Sequence, residues 1–291
     1  MIRTIELIAS YWTLAGDVYP QGPNEISPFP FEKRVEAAAR AGYRGLGLLH
    51  ADLMAVAHRL GLSEMRRILD ANGMHHVELE FLSDWYAEGR ARAESDVVRK
   101  DLLEAAEALR ARCIKIAPDT DESSLDDVAR DMPRMIESFA ALSREAAHYG
   151  TSIALEIMPF SNIRTIATAL ELVGTDPQPN GGLYIDIWHM ARGGIDYAEV
   201  AKIPQQFIKA VELDDADRDV VGTLDEDTRH SRRLCGEGSF DIPAFLKAID
   251  QTGYQGPYAV EIISQEHRRL SLEEEAKRSF ETAMAQFRNL D

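Results

Sequence analysis

Four short apolar runs in the second half of the chain each carry a single acid near their C-terminal end. In Ile153-Ala154-Leu155-Glu156-Ile157-Met158-Pro159, the residues Ile153, Leu155 and Ile157 alternate with Ala154, Glu156 and Met158. That period of two predicts a strand with a carboxylate on its small-residue face, just before a proline closes it. The pattern recurs three times. Asp186 lies opposite Leu183, Ile185 and Ile187; Glu212 lies opposite Val211 and Leu213; Glu261 lies opposite Tyr258, Val260 and Ile262. A core strand rarely tolerates one such acid, so four in register point to a fold that gathers strand ends in one place.

The rest of the chain supplies such a fold. Strands are predicted at 4–9, 45–49, 76–81, 113–117, 153–158, 183–187, 207–213 and 258–263. Helical patterns follow each of them, at 31–41, 62–72, 94–109, 126–149, after Arg164, at 197–201, 242–252 and 272–289. A Pro/Gly-rich loop spans 19–30, and Gly73 and Gly150 serve as helix stops. Eight strand–helix units, with no linker or composition break in 291 residues, predict an α/β fold: a (β/α)8 TIM barrel forming a single domain over residues 1–291. An open doubly wound sheet is the alternative, and it gives no reason for eight units.

Active sites of such barrels lie at the C-terminal ends of the strands, where all four acids fall. Neighbouring strands are roughly 4.8 Å apart. Taken singly, each acid reads equally well as half of a salt bridge. Together they repel, and a low-dielectric mouth cannot keep four carboxylates ionised without a cation. The economical compensator is one divalent metal ion. The net charge of −17 speaks against a nucleic-acid partner, which needs clustered Lys and Arg; a phosphorylated small molecule held by a local basic pocket stays compatible. No apolar run reaches the ~18 residues of a membrane span, and residues 1–6 read as a first strand rather than a signal peptide. A cytoplasmic enzyme is the expectation, with Cys113 and Cys235 as reduced thiols.

Five stretches, Leu155-Glu-Ile-Met-Pro159, Asp186-Ile-Trp-His189, Val211-Glu-Leu-Asp-Asp215, Gly236-Glu-Gly-Ser-Phe-Asp241 and Val260-Glu-Ile262, occur in an order that resembles the xylose isomerase-like TIM-barrel superfamily of sugar phosphate isomerases and epimerases. The resemblance covers essentially the whole chain. It implies that Glu156, Asp186 and Glu261 bind Mn, Mg, Co or Zn, and that Glu156 and Glu261 also move protons. At the remaining metal position the family carries His, or Gln in a branch that includes 3-dehydroshikimate dehydratases; this chain carries Glu212. A ligand set of Glu156, Asp186, Glu212 and Glu261 is all oxygen, which favours Mn or Mg over Zn. Glu212 reads either as that fourth ligand or as an acid/base group.

Other residues are weighed against structural roles. His189 matches the family's Asp-x-x-His and is expected to bind substrate or handle a proton. Asp214 reads as salt bridge or as support for the site. Glu78, Glu80 and Lys115 share inward faces; Glu80 is the better pocket residue, and Lys115 is expected first to neutralise a glutamate and second to touch substrate. His75 and His76 begin a strand, the wrong end for catalysis. His50, Arg164 and Arg233 are pocket candidates, the last from the basic run 229–233, where a solvated loop is the plain alternative. Gly236-Glu237-Gly238 lacks a phosphate loop's ending and reads as a turn. Trp12, Trp85 and Trp188 fall near strand ends, and core packing is the expected role of Trp188.

The function expected is a divalent-metal-dependent sugar (phosphate) isomerase or epimerase that forms an enediolate from a polyhydroxy ketone or aldehyde, Glu156 and Glu261 exchanging the proton. A dehydratase of the 3-dehydroshikimate type shares the first step. An endonuclease of the kind this barrel also supports would need a basic face and several histidine ligands at the strand ends, and a non-catalytic sugar-binding barrel leaves the acid placement unexplained. The resemblance further implies a homodimer or homotetramer.

Overall fold

The computed structural model describes residues 4–120 and 128–289. Its strands are β1 (Leu7–Ala9), β2 (Gly45–Leu49), β3 (His76–Leu82), β4 (Cys113–Ile116), β5 (Ser152–Glu156), β6 (Gly181–Asp186), β7 (Ile208–Leu213), β8 (Asp215–Ala216), β9 (Arg232–Arg233) and β10 (Tyr258–Val260). Eight of them close into a barrel in the order β1, β2, β3, β4, β5, β6, β7, β10, and β8 and β9 form a separate two-stranded sheet. The closing pair is parallel, with Leu7 level with Tyr258 and Ala9 level with Val260. The expected eight-stranded barrel is what the chain forms.

Helices follow the strands: α1 (Phe31–Ala41), α2 (His50–Leu60), α3 (Leu62–Ala71), α4 (Gly89–Leu109), α5 (Val128–His148), α6 (Ile166–Thr175), α7 (Ile187–Arg192), α8 (Tyr197–Val200), α9 (Leu224–His230), α10 (Ile242–Gln251) and α11 (Leu272–Gln286). Three of these are additions to the sequence reading. α2 starts directly from the end of β2 and stops at Gly61, whose φ is +79°. α7 starts directly from β6 because Asp186 caps it. α9 lies inside the stretch read as a polar loop, where Thr223 and Glu226 form a reciprocal capping box. β1 is shorter than residues 4–9, although Tyr258 N still donates to Glu6 O at 3.0 Å. The expected helix start at residue 126 lies outside the described residues.

Packing divides the chain into two compact parts: Met1–Glu78 with Glu212–Lys247 and Pro257–Asp291, and Leu79–Val211 with Ala248–Gly256. In the first, α1 lies against α11, and the Tyr43 and Phe280 rings meet edge to face at 5.2 Å. Arg34 of α1 and Asp52 of α2 form a fully buried ion pair, and Asp52 also accepts from Ser27 N at 3.1 Å, so one buried carboxylate holds the loop before α1. In the second part, β4, β5 and β6 run in register, with Lys115 level with Ala154 and Glu156 level with Tyr184. Period-two alternation then puts Lys115, Ala154, Glu156, Tyr184 and Asp186 on one face and Ile114, Ile153, Leu155, Leu183 and Ile185 on the other. Both faces are buried, as in any parallel sheet covered by helices.

Candidate functional site

In the part built on β3 to β6, five charged or ionisable side chains gather at the strand ends. Lys115 Nζ stands 3.4 Å from Glu80 Oε2 and 3.5 Å from Glu156 Oε1, and 4.2 Å from the centre of the Tyr184 ring. The small Ala154 beside Lys115 in the register leaves the lysine chain room to climb toward Glu156. All of these groups are buried, and burying two carboxylates requires such a cation.

Asp186 is both the last residue of β6 and the cap of α7: its Oδ1 accepts from Trp188 N at 2.7 Å. Because the helix follows at once, His189 comes round three residues later on the same side as Asp186. Its Nε2 lies 3.6 Å from Asp186 Oδ2 and 3.7 Å from Glu156 Oε1. The rings of Phe160 and Trp188 pack edge-on against the imidazole at 5.9 and 5.1 Å. Glu156, Asp186 and His189 each offer a ligand atom within 4.8 Å of the others.

These spacings exceed a hydrogen bond. They approach the edge of a coordination polyhedron, roughly 3.4 Å for a tetrahedron with bonds of about 2.1 Å. Two carboxylate oxygens and one imidazole nitrogen suit Mn, Co or Zn. The residues present therefore fit a divalent metal ion.

In the other part, Glu212 accepts a hydrogen bond from Ser10 Oγ. Asp214 is paired with Arg232, whose Nη1 also lies 3.3 Å from Glu261 Oε2. Glu261 follows the last residue of β10, its N–H donating to Leu213 O at 3.1 Å. Arg232 reaches this place through the β8–β9 pairing, which sets Ala216 level with Arg232 and Asp215 level with Arg233. Asp215 fastens the loop beyond: Oδ2 accepts from Gly236 N at 2.9 Å and Gly238 N at 3.0 Å, while Oδ1 accepts from Phe240 N at 2.9 Å and Ala216 N at 2.8 Å. A Cβ on Gly238 would lie 2.3 Å from Asp215 Oδ1, so the Gly236-Glu237-Gly238 turn wraps a carboxylate of the protein itself.

Glu80, Lys115, Glu156, Asp186 and His189 thus meet in one part of the chain, and Glu212 and Glu261 lie in the other with Asp214. Arg233 turns instead toward Asp217 and Glu266, at 2.8 and 3.1 Å; the buried arginine beside the acids is its neighbour, Arg232. Arg164 is exposed between β5 and α6, and His50 opens α2 partly exposed. Glu78 is buried. His76 Nε2 is 2.7 Å from Glu6 Oε2, in keeping with its structural reading. Trp12, Trp85 and Trp188 are all buried.

Sequence reasoning passed over Arg232, Ser10 and Thr13. A two-residue strand fixes which member of an Arg-Arg pair turns inward, and no periodicity in 229–233 announces it. Ser10 and Thr13 follow the first strand as ordinary small polar residues. Among the described residues no helix is long and apolar enough to cross a membrane.

Known proteins agree with this architecture. The chain is 26% identical over 228 residues to an inosose isomerase of Halalkalibacterium halodurans, covering 77% of this chain and 79% of that one. It is also 26% identical over 244 residues to a 3-dehydroshikimate dehydratase of Pseudomonas aeruginosa, covering 81% of this chain but spanning only 36% of the dehydratase. Among solved structures, the IOLI protein with a binding zinc atom superposes with a TM-score of 0.82 at 20% identity, over 97% of this chain and 98% of that one. A D-psicose 3-epimerase in the presence of D-fructose superposes at 0.76 and 15% identity, over 99% and 100% of the two chains. The family described as xylose isomerase-like TIM barrel matches residues 35–286, and the chain belongs to that family.

Proposed function

We propose that this protein is a divalent-metal-dependent isomerase or epimerase of a polyhydroxy ketone or aldehyde, such as a keto-cyclitol or ketose. The observation that carries the reading is the buried pair of Glu156 and Asp186, each offering an oxygen within 4.8 Å of the other, with His189 beside them. In this reading Glu212 and Glu261 complete the ligand set. Mn is the ion expected, with Mg, Co and Zn as competitors; zinc is named for the related IOLI structure.

Held by these acids, a divalent ion would supply positive charge to stabilise the negative charge that develops on a substrate oxygen when a C–H proton leaves. The protein's own groups do the rest. Glu156 or Glu261 takes the proton from carbon, and the other returns it to a new carbon or a new face. His189, packed against the Phe160 and Trp188 rings beside Asp186, donates to or accepts from a substrate hydroxyl. Lys115 keeps Glu80 and Glu156 in place, and touches substrate only as a second role. Arg164, His50 and Arg233 belong at the rim of the pocket in this reading. A homodimer or homotetramer in the cytoplasm fits it.

The likeness to a 3-dehydroshikimate dehydratase supports a second reading: the same proton abstraction, followed by loss of a β-hydroxyl. One experiment separates the two. Protein loaded with Mn2+ and freed of excess ion is incubated in deuterated water with a keto-cyclitol, D-fructose or 3-dehydroshikimate, and products are followed by NMR. Deuterium at carbon with an epimer or isomer supports the first reading; loss of water supports the second. Failure to retain about one ion per chain would refute both.

A further inference from the structure

Three strand-end segments of the first compact part meet on one side chain, and we infer that Arg268 and the neutral imidazole of His230 form a latch that holds the rim at residues 17–19 and opens in acid. Arg268 lies in the 3-10 turn His267–Arg269 after β10 and is only 6% exposed. Its Nε donates to Asp17 Oδ1 at 3.0 Å, and its guanidinium covers the Tyr19 ring at 4.5 Å. Its Nη1 lies 3.1 Å from His230 Nδ1 and 3.3 Å from Arg229 O, at the end of α9. The Tyr19 and His230 rings meet edge to face at 4.9 Å, and Gln265 N donates to His230 O at 2.8 Å.

A guanidinium only donates, so His230 Nδ1 accepts and the ring proton sits on Nε2. Protonating the ring sets one N–H against another and one cation against another. The charged and titratable groups gathered here are Arg268 from the turn, Arg229, Asp225 and Glu226 from α9, and Asp17 and Tyr19 from the loop after β1. Arg229 is itself paired with Asp225 at 2.6 Å. His267 is turned to Thr13 O, 3.0 Å from its Nε2. Burial first, then Arg268 and Arg229, hold the His230 pKa below its ordinary value, with Asp225 and Glu226 opposing. A depressed imidazole pKa means that the closed form prefers the neutral ring, so the latch is complete above about pH 6.5 and weakens as pH falls below it.

The rim segment has a fixed base and a held tip. Ser10 N and Thr13 Oγ1 both donate to Val260 O, at 3.0 and 2.7 Å, and Thr13 Oγ1 accepts from Ile262 N at 2.9 Å. The chain then turns at Gly16, whose φ is +72°, and beyond it Asp17 and Tyr19 reach Arg268 and His230. On the side of α9 the latch runs on toward the acids. Two residues past His230, Arg232 N donates to Ile263 O at 3.2 Å, and Arg232 is the cation beside Asp214 and Glu261.

The test is hydrogen exchange of the full chain, read by mass spectrometry on peptides 17–26 and 262–270 at pH 7.5 and pH 5, each rate divided by the intrinsic rate at that pH. An imidazole of ordinary pKa is almost fully protonated at pH 5 once the latch is open, so opening in wild type is expected to rise by about tenfold or more. His230→Asn keeps an acceptor oxygen near the place of Nδ1 and cannot titrate, and its peptides are expected to be equally protected at both pH values. Wild-type peptides equally protected at both pH values overturn the inference. So does a His230→Asn protein that opens in acid as much as wild type, which assigns the titration to His267 or Asp17. Should His230→Asn fail to fold, Arg268→Met takes its place: without the latch its rim is expected to exchange fast at both pH values, and an acid-induced rise equal to that of wild type overturns the inference.

Discussion

Glu275 offers the sharpest test of the packing, because it is a charge-bearing residue where a charge does not belong. It lies in the first turn of α11 with no exposed surface, and among the described residues neither carboxylate oxygen has a hydrogen-bond partner. Burial pushes its pKa up from 4.5 to about 9. The helix start favours a negative charge there, yet that effect is worth at most ~2 kcal/mol, against about 6 kcal/mol for a shift of this size. Desolvation wins, and the carboxyl is a neutral acid in the fold. The proton is held more tightly when folded, so stability is complete below pH 4.5, declines as pH rises toward 9, and is level above it. Each unit of pH in that window costs about 1.4 kcal/mol. Glu275→Gln has nearly the same shape and no proton to lose. Urea unfolding of both proteins at pH 6 and pH 8 should find the difference moving by about 3 kcal/mol in favour of the variant at the higher pH. Every other titrating group is common to the two proteins and cancels. A difference that stays constant between the two pH values would mean that Glu275 is ionised in the fold, and the reasoning would be wrong.

Two more expectations follow from the strand ends and their supports. Arg232→Met leaves Asp214 and Glu261 buried without their cation and should destabilise the metal-free protein by about 3–5 kcal/mol, whereas Arg233→Met removes only half-exposed pairs worth under about 1 kcal/mol; similar losses in chemical unfolding would refute the distinction. His267 is held neutral by burial, its pKa pushed down to about 4 against the opposing hydrogen bond to Thr13. Its contribution is present above pH 6.5 and is lost as pH falls toward 4, so the stability of wild type relative to His267→Gln should drop by about 2 kcal/mol from pH 7 to pH 5.

The barrel was legible because its signal is redundant. Eight alternating runs each predict a strand, and errors at their ends, such as residues 4–6 or 157–158, do not change the count. The acids were legible for the same reason: Glu156 and Asp186 are the last residues of β5 and β6, and the parity of a strand tells which side they take. What the sequence hid depends on contacts made by short irregular segments. Nothing in the order of residues says that Ser10 reaches Glu212, two hundred positions away, or that Arg232 rather than Arg233 turns inward from a two-residue strand. α7 was hidden too, because its capping residue was already assigned to a strand and one residue was not expected to end one element and start the next. α9 was signalled by Thr223-x-x-Glu226, but its acidic, polar face gave no apolar period to read.

The double use of Asp186 has a consequence for how this barrel can change over generations. One oxygen starts a helix and the other faces the imidazole that the helix delivers, so a substitution there strikes the helix start and the proposed metal site at once. Selection cannot relax one demand while keeping the other, and drift at this position is closed. The freedom lies elsewhere, in largely exposed stretches such as 21–24 and 218–220. A lineage that acquires a new substrate would be expected to rewrite those rims and leave the β6–α7 junction untouched, and a directed library aimed at new specificity would do well to spend its diversity in the same places.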